Sequence, residues 1–287
     1  MNTEEFLGWL DNKNQPFLIP SSEKPLIMGV LNVTPDSFSD GGCFLSSDKA
    51  SEHALTLIEQ GADILDVGGE SSRPGSLPVS VDVELSRVIP VIEQIRKQSD
   101  VCISIDTYKP EVMCAAVHAG ANIINDIYAL RTKNALTMAA QLDVPICLMH
   151  MQGTPSKMQQ NPQYSDGVVN DVTAFFKERV NACLQEGIIK ERLILDPGFG
   201  FGKSVRDNLE VSTNLDKFQE FGIPILLGVS RKSTIGALLN KEIHNRLIGS
   251  IALTVYAALK GVSIIRTHDV AETNQALQMI AALGKVD

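Results

Sequence analysis

Apolar positions along the 287-residue chain follow a repeating rhythm. Short continuous apolar runs, bounded by turn formers, alternate with longer stretches whose apolar residues recur at helical spacing. Residues 1–24 carry Phe6, Leu7, Trp9 and Leu10, then Pro16, Phe17, Leu18 and Pro20, which predict a short helix and an extended lead-in covering one end of the fold. Strands are predicted at 25–31, 63–67, 101–106, 122–125, 145–150, 193–196, 224–229 and 263–266. Between and after them, helices are predicted at 48–60, 80–98, from Pro110 onward, at 133–142, 166–186, 206–220, 232–260 and 270–284. The 232–260 stretch divides into two pieces around Asn240 to His244. Ala54, Leu55, Leu57 and Ile58 mark one inward face, Leu85, Val88, Ile89, Ile92 and Ile95 a second, and Ala276, Leu277, Ile280 and Leu283 a third.

Continuous apolar strands joined by crossover helices mean a parallel sheet covered on both faces. Eight such units in about 260 residues fit a single-domain α/β chain folded as a (β/α)8 TIM barrel over 25–287, with residues 1–24 packed on it. An open doubly wound sheet is the alternative. The barrel is preferred because no GxGxxG follows the first strand and polar residues end nearly every strand.

Apolar residues make up 44% and charged residues 21% of the chain, and the net charge of -9 argues against non-specific nucleic-acid binding, which needs a basic face. Five scattered cysteines show no CxxC or Cys/His metal spacing, which predicts reduced, buried thiols. The start has no basic region followed by an apolar one, and no run reaches the length of a membrane span, so a cytoplasmic location without membrane partners is expected.

In a barrel the active site lies at the C-terminal strand ends. Those ends here are Asn32; Asp66 with Glu70-Ser71-Ser72-Arg73; Asp106; Asn125 and Asp126; Met149 and His150; Asp196; Ser230-Arg231-Lys232-Ser233; and Arg266 with His268. Taken singly these are helix caps and surface charges; together they converge on one rim. Asp106, Asn125 and Asp196 suit the donor–acceptor edge of a flat nitrogen heterocycle. Lys232, Arg231, Arg73, Arg266 and His268 suit phosphate or carboxylate. The loop 31–42, LNVTPDSFSDGG, is a candidate lid with oxygen ligands for a hard cation. In 196–203, DPGFGFGK, the glycines permit close backbone approach, and Phe199 and Phe201 are candidates to flank a planar ring.

The runs MGVLNVTPDSFSDGG (28–42), GADILDVGGESSRPGS (61–76), SIDTYKPEVMCAAVHAGANIINDIYAL (104–130), PICLMHMQGTP (145–155), RLILDPGFGFGK (192–203), PILLGVSRKS (224–233) and RTHD (266–269) resemble the bacterial dihydropteroate synthases, in order and over nearly the whole chain. The resemblance implies a (β/α)8 barrel that joins 6-hydroxymethyl-7,8-dihydropterin diphosphate to 4-aminobenzoate, giving 7,8-dihydropteroate and pyrophosphate for folate synthesis. It implies pterin-pocket roles for Asp106, Asn125, Asp196 and Lys232, with Met149, Phe201 and Gly228 as walls. Asn32, Arg266 and His268 are implied for the diphosphate, with Mg2+ at Asn32. Phe38, Ser72, Arg73, Pro74, Lys232 and Ser233 are implied for aminobenzoate, where sulfonamides compete. A homodimer through the late helices is also implied. The family usually carries Thr where Ser72 stands, so apolar contact with the ring weakens by up to ~1 kcal/mol while the hydroxyl remains. The rival readings are a pterin-dependent methyltransferase and an inactive pterin-binding module. The Phe38 loop with the SRK and RTH clusters discriminates, because a methyl donor without diphosphate does not need them.

Overall fold

The computed structural model describes residues 1–13, 24–34, 43–72 and 75–284. The strands are β1 (Leu26–Asn32), β2 (Ile64–Gly68), β3 (Cys102–Asp106), β4 (Ile123–Asp126), β5 (Ile146–Met149), β6 (Leu193–Asp196), β7 (Leu226–Gly228) and β8 (Ile264–Thr267). They pair in parallel in the order β6-β5-β4-β3-β2-β1-β8-β7. A parallel bridge between Leu195 and Ile225 joins the two ends, and the Leu195 N–H donates to the Pro224 carbonyl at 3.0 Å. The sheet therefore closes into the expected barrel.

Helices fill the crossovers: α1 (Thr3–Lys13) precedes β1, then come α2 (Cys43–Glu59), α3 (Val81–Arg96), α4 (Pro110–Ala119), α5 (Ala135–Leu142), α6 (Val168–Gln185), α7 (Val205–Thr213), α8 (Leu215–Phe218), α9 (Ser233–Leu239), α10 (Leu247–Leu259) and α11 (Val270–Leu283). Pro110 opens α4, where its missing N–H costs nothing. The helix expected at 206–220 is broken at Asn214, whose side-chain N–H donates to the Glu210 carbonyl at 2.8 Å and so satisfies an end of α7. The 232–260 stretch divides as expected, with α9 ended by left-handed Asn240. Leu283 does not face inward and is 62% exposed. It lies six positions past buried Leu277, which at 3.6 residues per turn turns it ~120° from the inward line.

Two cores explain why the strands read as unbroken apolar runs. One strand parity, including Ile27, Leu65, Ile103, Ile146, Leu193 and Ile265, packs outward against the helices. The other parity, Leu26, Met28, Ile64, Cys102, Ile123, Cys147, Ile194, Leu226 and Ile264, fills the barrel interior. Phe6 and Leu10 of α1 join that inner plug at the N-terminal mouth, where the Cys102 N–H donates to the Met1 carbonyl at 2.9 Å. Side chains in a strand alternate faces, so residues two or four further along the inner parity also point inward. Those residues are Asp66, Asp106, Asn125, Met149, Asp196, Gly228, Arg266 and Asn32. The pleat that packs the plug thus aims the polar residues into the C-terminal mouth.

Candidate active site

Two carboxylates meet one guanidinium at the centre of that mouth, and an amide braces one of them. Arg266 Nε donates to Asp66 Oδ2 at 2.6 Å, and its Nη2 donates to Asp106 Oδ2 at 2.8 Å. Asn125 Nδ2 donates to both oxygens of Asp66, at 3.2 and 3.3 Å. Asp66 is fully buried and Asn125 nearly so. Burial raises the Asp106 carboxyl to about 7, Arg266 resists the rise, and Asp66 adds to it. Burial also opposes the charge of Arg266, but Asp66 and Asp106 outweigh it and hold the guanidinium above its ordinary range. Because its N–H side is committed to Asp66, Asn125 turns its carbonyl oxygen the other way. Ser104 Oγ, one pleat below Asp106, is buried without a partner among the described residues. The floor is therefore rich in acceptors, as an N–H edge of a heterocycle requires.

The glycine loop after β6 supplies the opposite wall. Asp196 Oδ1 accepts the Gly198 N–H at 2.7 Å. Burial raises the Asp196 carboxyl, while Lys232 and that N–H hold it down. Lys232 donates to the Phe199 carbonyl and sits 4.6 Å from the centre of the Phe201 ring. Burial lowers its ammonium to about 8, with Asp196 resisting. At Gly198 φ is +69° and an added Cβ would lie 1.8 Å from the His150 carbonyl oxygen, so only glycine fits. Gly200, at φ +82°, would meet Lys232 at 2.9 Å.

Phe199 departs from expectation: its ring is fully buried in the outer core. Only Phe201 presents its ring, beside Met149, Met151 and Met158. Lys203 lies behind the wall, donating to His150 Nδ1 at 2.8 Å and to the Gly198 and Phe201 carbonyls at 3.0 and 3.2 Å. Burial lowers Lys203 to about 7. Burial, with Lys203 and Arg131 adding to it, pushes His150 down to about 2, so the imidazole is a neutral acceptor.

On the rim, His268 Nδ1 lies 3.1 Å from Ser230 Oγ, and the His268 N–H donates to the same hydroxyl. Arg231 turns away to Asp269, donating from Nε at 3.1 Å and from Nη2, and braces the β7 and β8 loops instead of presenting an anion site. Asp126 accepts the Tyr128 and Leu130 N–H groups and shapes its own turn. Asn32 is half-buried; its Oδ1 and the Asp106 carboxylate both lie within 4 Å of where a Gly68 Cβ would stand. Ser72 is half-buried, Ser233 is exposed at the start of α9, and Gly228 is buried against Arg266. Phe38, Arg73 and Pro74 lie outside the described residues.

Asp66, expected only as one of the polar strand ends on the rim and given no ligand, organises both Asn125 and Arg266. Its signal was an ionisable residue between Leu65 and Val67, inside a buried run. Lys203 and His150 were likewise unassigned, and nothing in their local sequence announces the pair.

The profile described as pterin binding enzyme matches residues 28–268. The chain is 52% identical over 258 residues to the dihydropteroate synthase of Escherichia coli (strain K12), covering 90% of this chain and 91% of that protein. The crystal structure of Yersinia pestis dihydropteroate synthase with a sulfonamide drug superposes with a TM-score of 0.86 at 46% identity, covering 94% of this chain and 97% of that one. Xanthomonas albilineans dihydropteroate synthase in complex with 7,8-dihydropteroate gives 0.82 at 43% identity, covering 92% and 95%. The chain belongs to the pterin binding enzyme family.

Proposed function

We infer that the chain catalyses dihydropteroate synthesis, joining 6-hydroxymethyl-7,8-dihydropterin diphosphate to 4-aminobenzoate with release of pyrophosphate. The observation that carries this is the inner-parity set Asp106, Asn125, Asp196 and Arg266, gathered with Lys232 of the loop after β7 at the mouth of a barrel that matches dihydropteroate synthases along nearly its whole length. The methyltransferase and inactive-module readings are not favoured.

In this reading Asp196 accepts from the amino-imine edge of the pterin, Asn125 offers its carbonyl oxygen, and Lys232 donates to the ring. Met149, Phe201 and Gly228 form walls. Arg266, His268 and Asn32 receive the diphosphate. Phe38, Ser72, Arg73, Pro74, Lys232 and Ser233 form the aminobenzoate subsite, open to sulfonamides. The donor set suits Mg2+ carried by substrate: Asn32 offers one neutral amide oxygen, and no cluster of three acidic, His or Cys ligands occurs among the described residues. Asn32 would hold the ion, which would neutralise charge on the diphosphate oxygens.

The C–O bond to the diphosphate breaks first, its electron pair leaving with the diphosphate beside Arg266 and His268. The electron-rich dihydropterin delocalises the methylene cation, and Asp106 and Asp196 stabilise it by their negative charge. The aniline lone pair then forms the C–N bond and its proton passes to water. No general base is needed, because the protonated product amine is acidic.

The protein acts as a homodimer through α10 and α11, where Ile248, Leu259 and Met279 are 79%, 66% and 61% exposed. It works in the cytoplasm, in line with free thiols at Cys102, Cys114, Cys147 and Cys183. No helix among the described residues is long and apolar enough to cross a membrane. The test is pyrophosphate release from the pterin diphosphate with Mg2+, with and without 4-aminobenzoate. Release that depends on aminobenzoate and yields dihydropteroate is expected; pterin binding without release would overturn the reading.

A further inference from the structure

The segment between β2 and α3, which carries Ser72, begins and ends on one carboxylate. Glu70 Oε2 accepts the Val79 N–H at 2.8 Å and the Lys109 ammonium at 2.6 Å, and Oε1 accepts the Tyr108 hydroxyl at 2.9 Å. Lys109 is buried and also ion-paired to Glu84, whose side chain is 1% exposed. The second oxygen of Glu84 has no partner among the described residues. Lys109 lies 4.8 Å from the centre of the Tyr108 ring, and the Tyr108 carbonyl is held by the Thr132 hydroxyl at 2.7 Å. Arg87 donates to the Gly69 carbonyl at 2.7 Å, fixing the residue before Glu70.

Two carboxylates and one ammonium are here withdrawn from water, which costs desolvation that their attraction only partly offsets. A solvated connection between a strand and a helix needs no such device. The expense is intelligible if the position of the segment, and not only its connectivity, matters. Burial and the Glu70 hydrogen bond also hold the Tyr108 phenol well above its ordinary range, so it stays a donor.

We propose that Glu70 is a positioning residue for the aminobenzoate subsite. Its carboxylate, gripped by Lys109 and Tyr108 and backed by Glu84, closes the neck between residues 70 and 79 and thereby places Ser72. This rests on the assignment of Ser72 to aminobenzoate made above. Among the described residues Asp66, Asn125, Asp196 and Lys232 share no hydrogen bond with the clamp, and its one bearing on Asp106 is the charge of Glu84.

The test is steady-state kinetics of the full chain, with calorimetric titration of 6-hydroxymethyl-7,8-dihydropterin as a control for folding. Glu70→Ala is expected to raise KM for 4-aminobenzoate roughly tenfold or more, with pterin affinity held within about twofold. Glu70→Gln keeps an acceptor for Lys109 and Val79, and its amide can donate to the phenol, so it is expected to restore KM to within about threefold of the parent. If Glu70→Ala does not fold, Tyr108→Phe carries the test, with KM expected to rise about threefold through loss of one hydrogen bond. An unchanged KM in the folded variant, or an equal loss of pterin affinity, overturns the clamp. Ser72→Ala separates the two claims: if it raises KM and Glu70→Ala does not, only the clamp falls. If Ser72→Ala leaves KM unchanged, the subsite assignment itself falls.

Discussion

Asp196→Asn gives the sharpest test of the pterin wall, because the structure dictates which way the new amide must face. Asp196 Oδ1 accepts the Gly198 N–H at 2.7 Å. Asparagine has one acceptor and one donor end. To keep the Gly198 bond its oxygen must take the Oδ1 place, and its NH2 then points at the N–H edge of the pterin. One charge-assisted hydrogen bond, worth ~1.5–3 kcal/mol, is lost, and a donor facing a donor adds ~1–3 kcal/mol. The sum of about 2.5–6 kcal/mol weakens pterin binding by roughly two to four orders of magnitude. Folding should not suffer in step. Burial raises the Asp196 carboxyl, so its surroundings disfavour the charged form, and a neutral isostere does not carry that cost. Titration calorimetry with 6-hydroxymethyl-7,8-dihydropterin reads the first effect and urea unfolding the second. Pterin affinity within about threefold of the parent, in a folded variant, would refute the assignment.

Other outcomes follow from the same geometry. The profile of kcat/KM against pH is expected to be bell-shaped. Asp106, raised to about 7, acts when ionised, so activity falls as pH drops through that value. Lys232, lowered to about 8, acts when protonated, so activity falls as pH climbs past it. A flat profile from about pH 5 to about pH 9 counts against both roles. Gly198→Ala places a Cβ 1.8 Å from the His150 carbonyl oxygen at φ +69°, and is expected to cost more than ~3 kcal/mol in urea unfolding. Phe6→Ala opens a cavity in the inner plug and should cost ~3–5 kcal/mol while leaving both KM values in place; a shifted KM would deny the separation of the two barrel mouths.

The barrel was legible because its strands are buried on both faces and its crossovers are amphipathic, two patterns that a sequence displays directly. Strand ends were legible for the same reason: an Asp, Asn or Arg closing an apolar run stands out. Loops carry no such period. Phe199 and Phe201 look equivalent in DPGFGFGK, yet the positive φ of Gly200 between them, and of Gly198 and Gly202 on either side, turns the backbone, so that Phe199 enters the outer core and Phe201 stays at the mouth. Asn214 reads as a tolerable helix residue until its side chain is seen bonding the Glu210 carbonyl. Partner choice is a property of three-dimensional distance, which is why Glu70 and Lys109, thirty-nine positions apart, give no signal in the chain.

Arg266 shows how far a residue type can be read and where reading stops. From sequence it is a cation suited to diphosphate. In the fold it first serves as counter-ion to two carboxylates, Asp66 and Asp106, and resists the rise that burial imposes on Asp106. The two duties are compatible because a guanidinium has five N–H donors in a rigid fork. Nε and Nη2 are committed to Asp66 and Asp106, while Nη1 makes no hydrogen bond among the described residues. An incoming anion can therefore be met by Nη1 without breaking either pair. The fixed pairs hold the fork in orientation before substrate arrives, so binding a diphosphate there, as proposed, would spend little side-chain entropy. Lysine at this position would have one nitrogen for all three tasks, and the division between holding the carboxylates and receiving the leaving group would be lost.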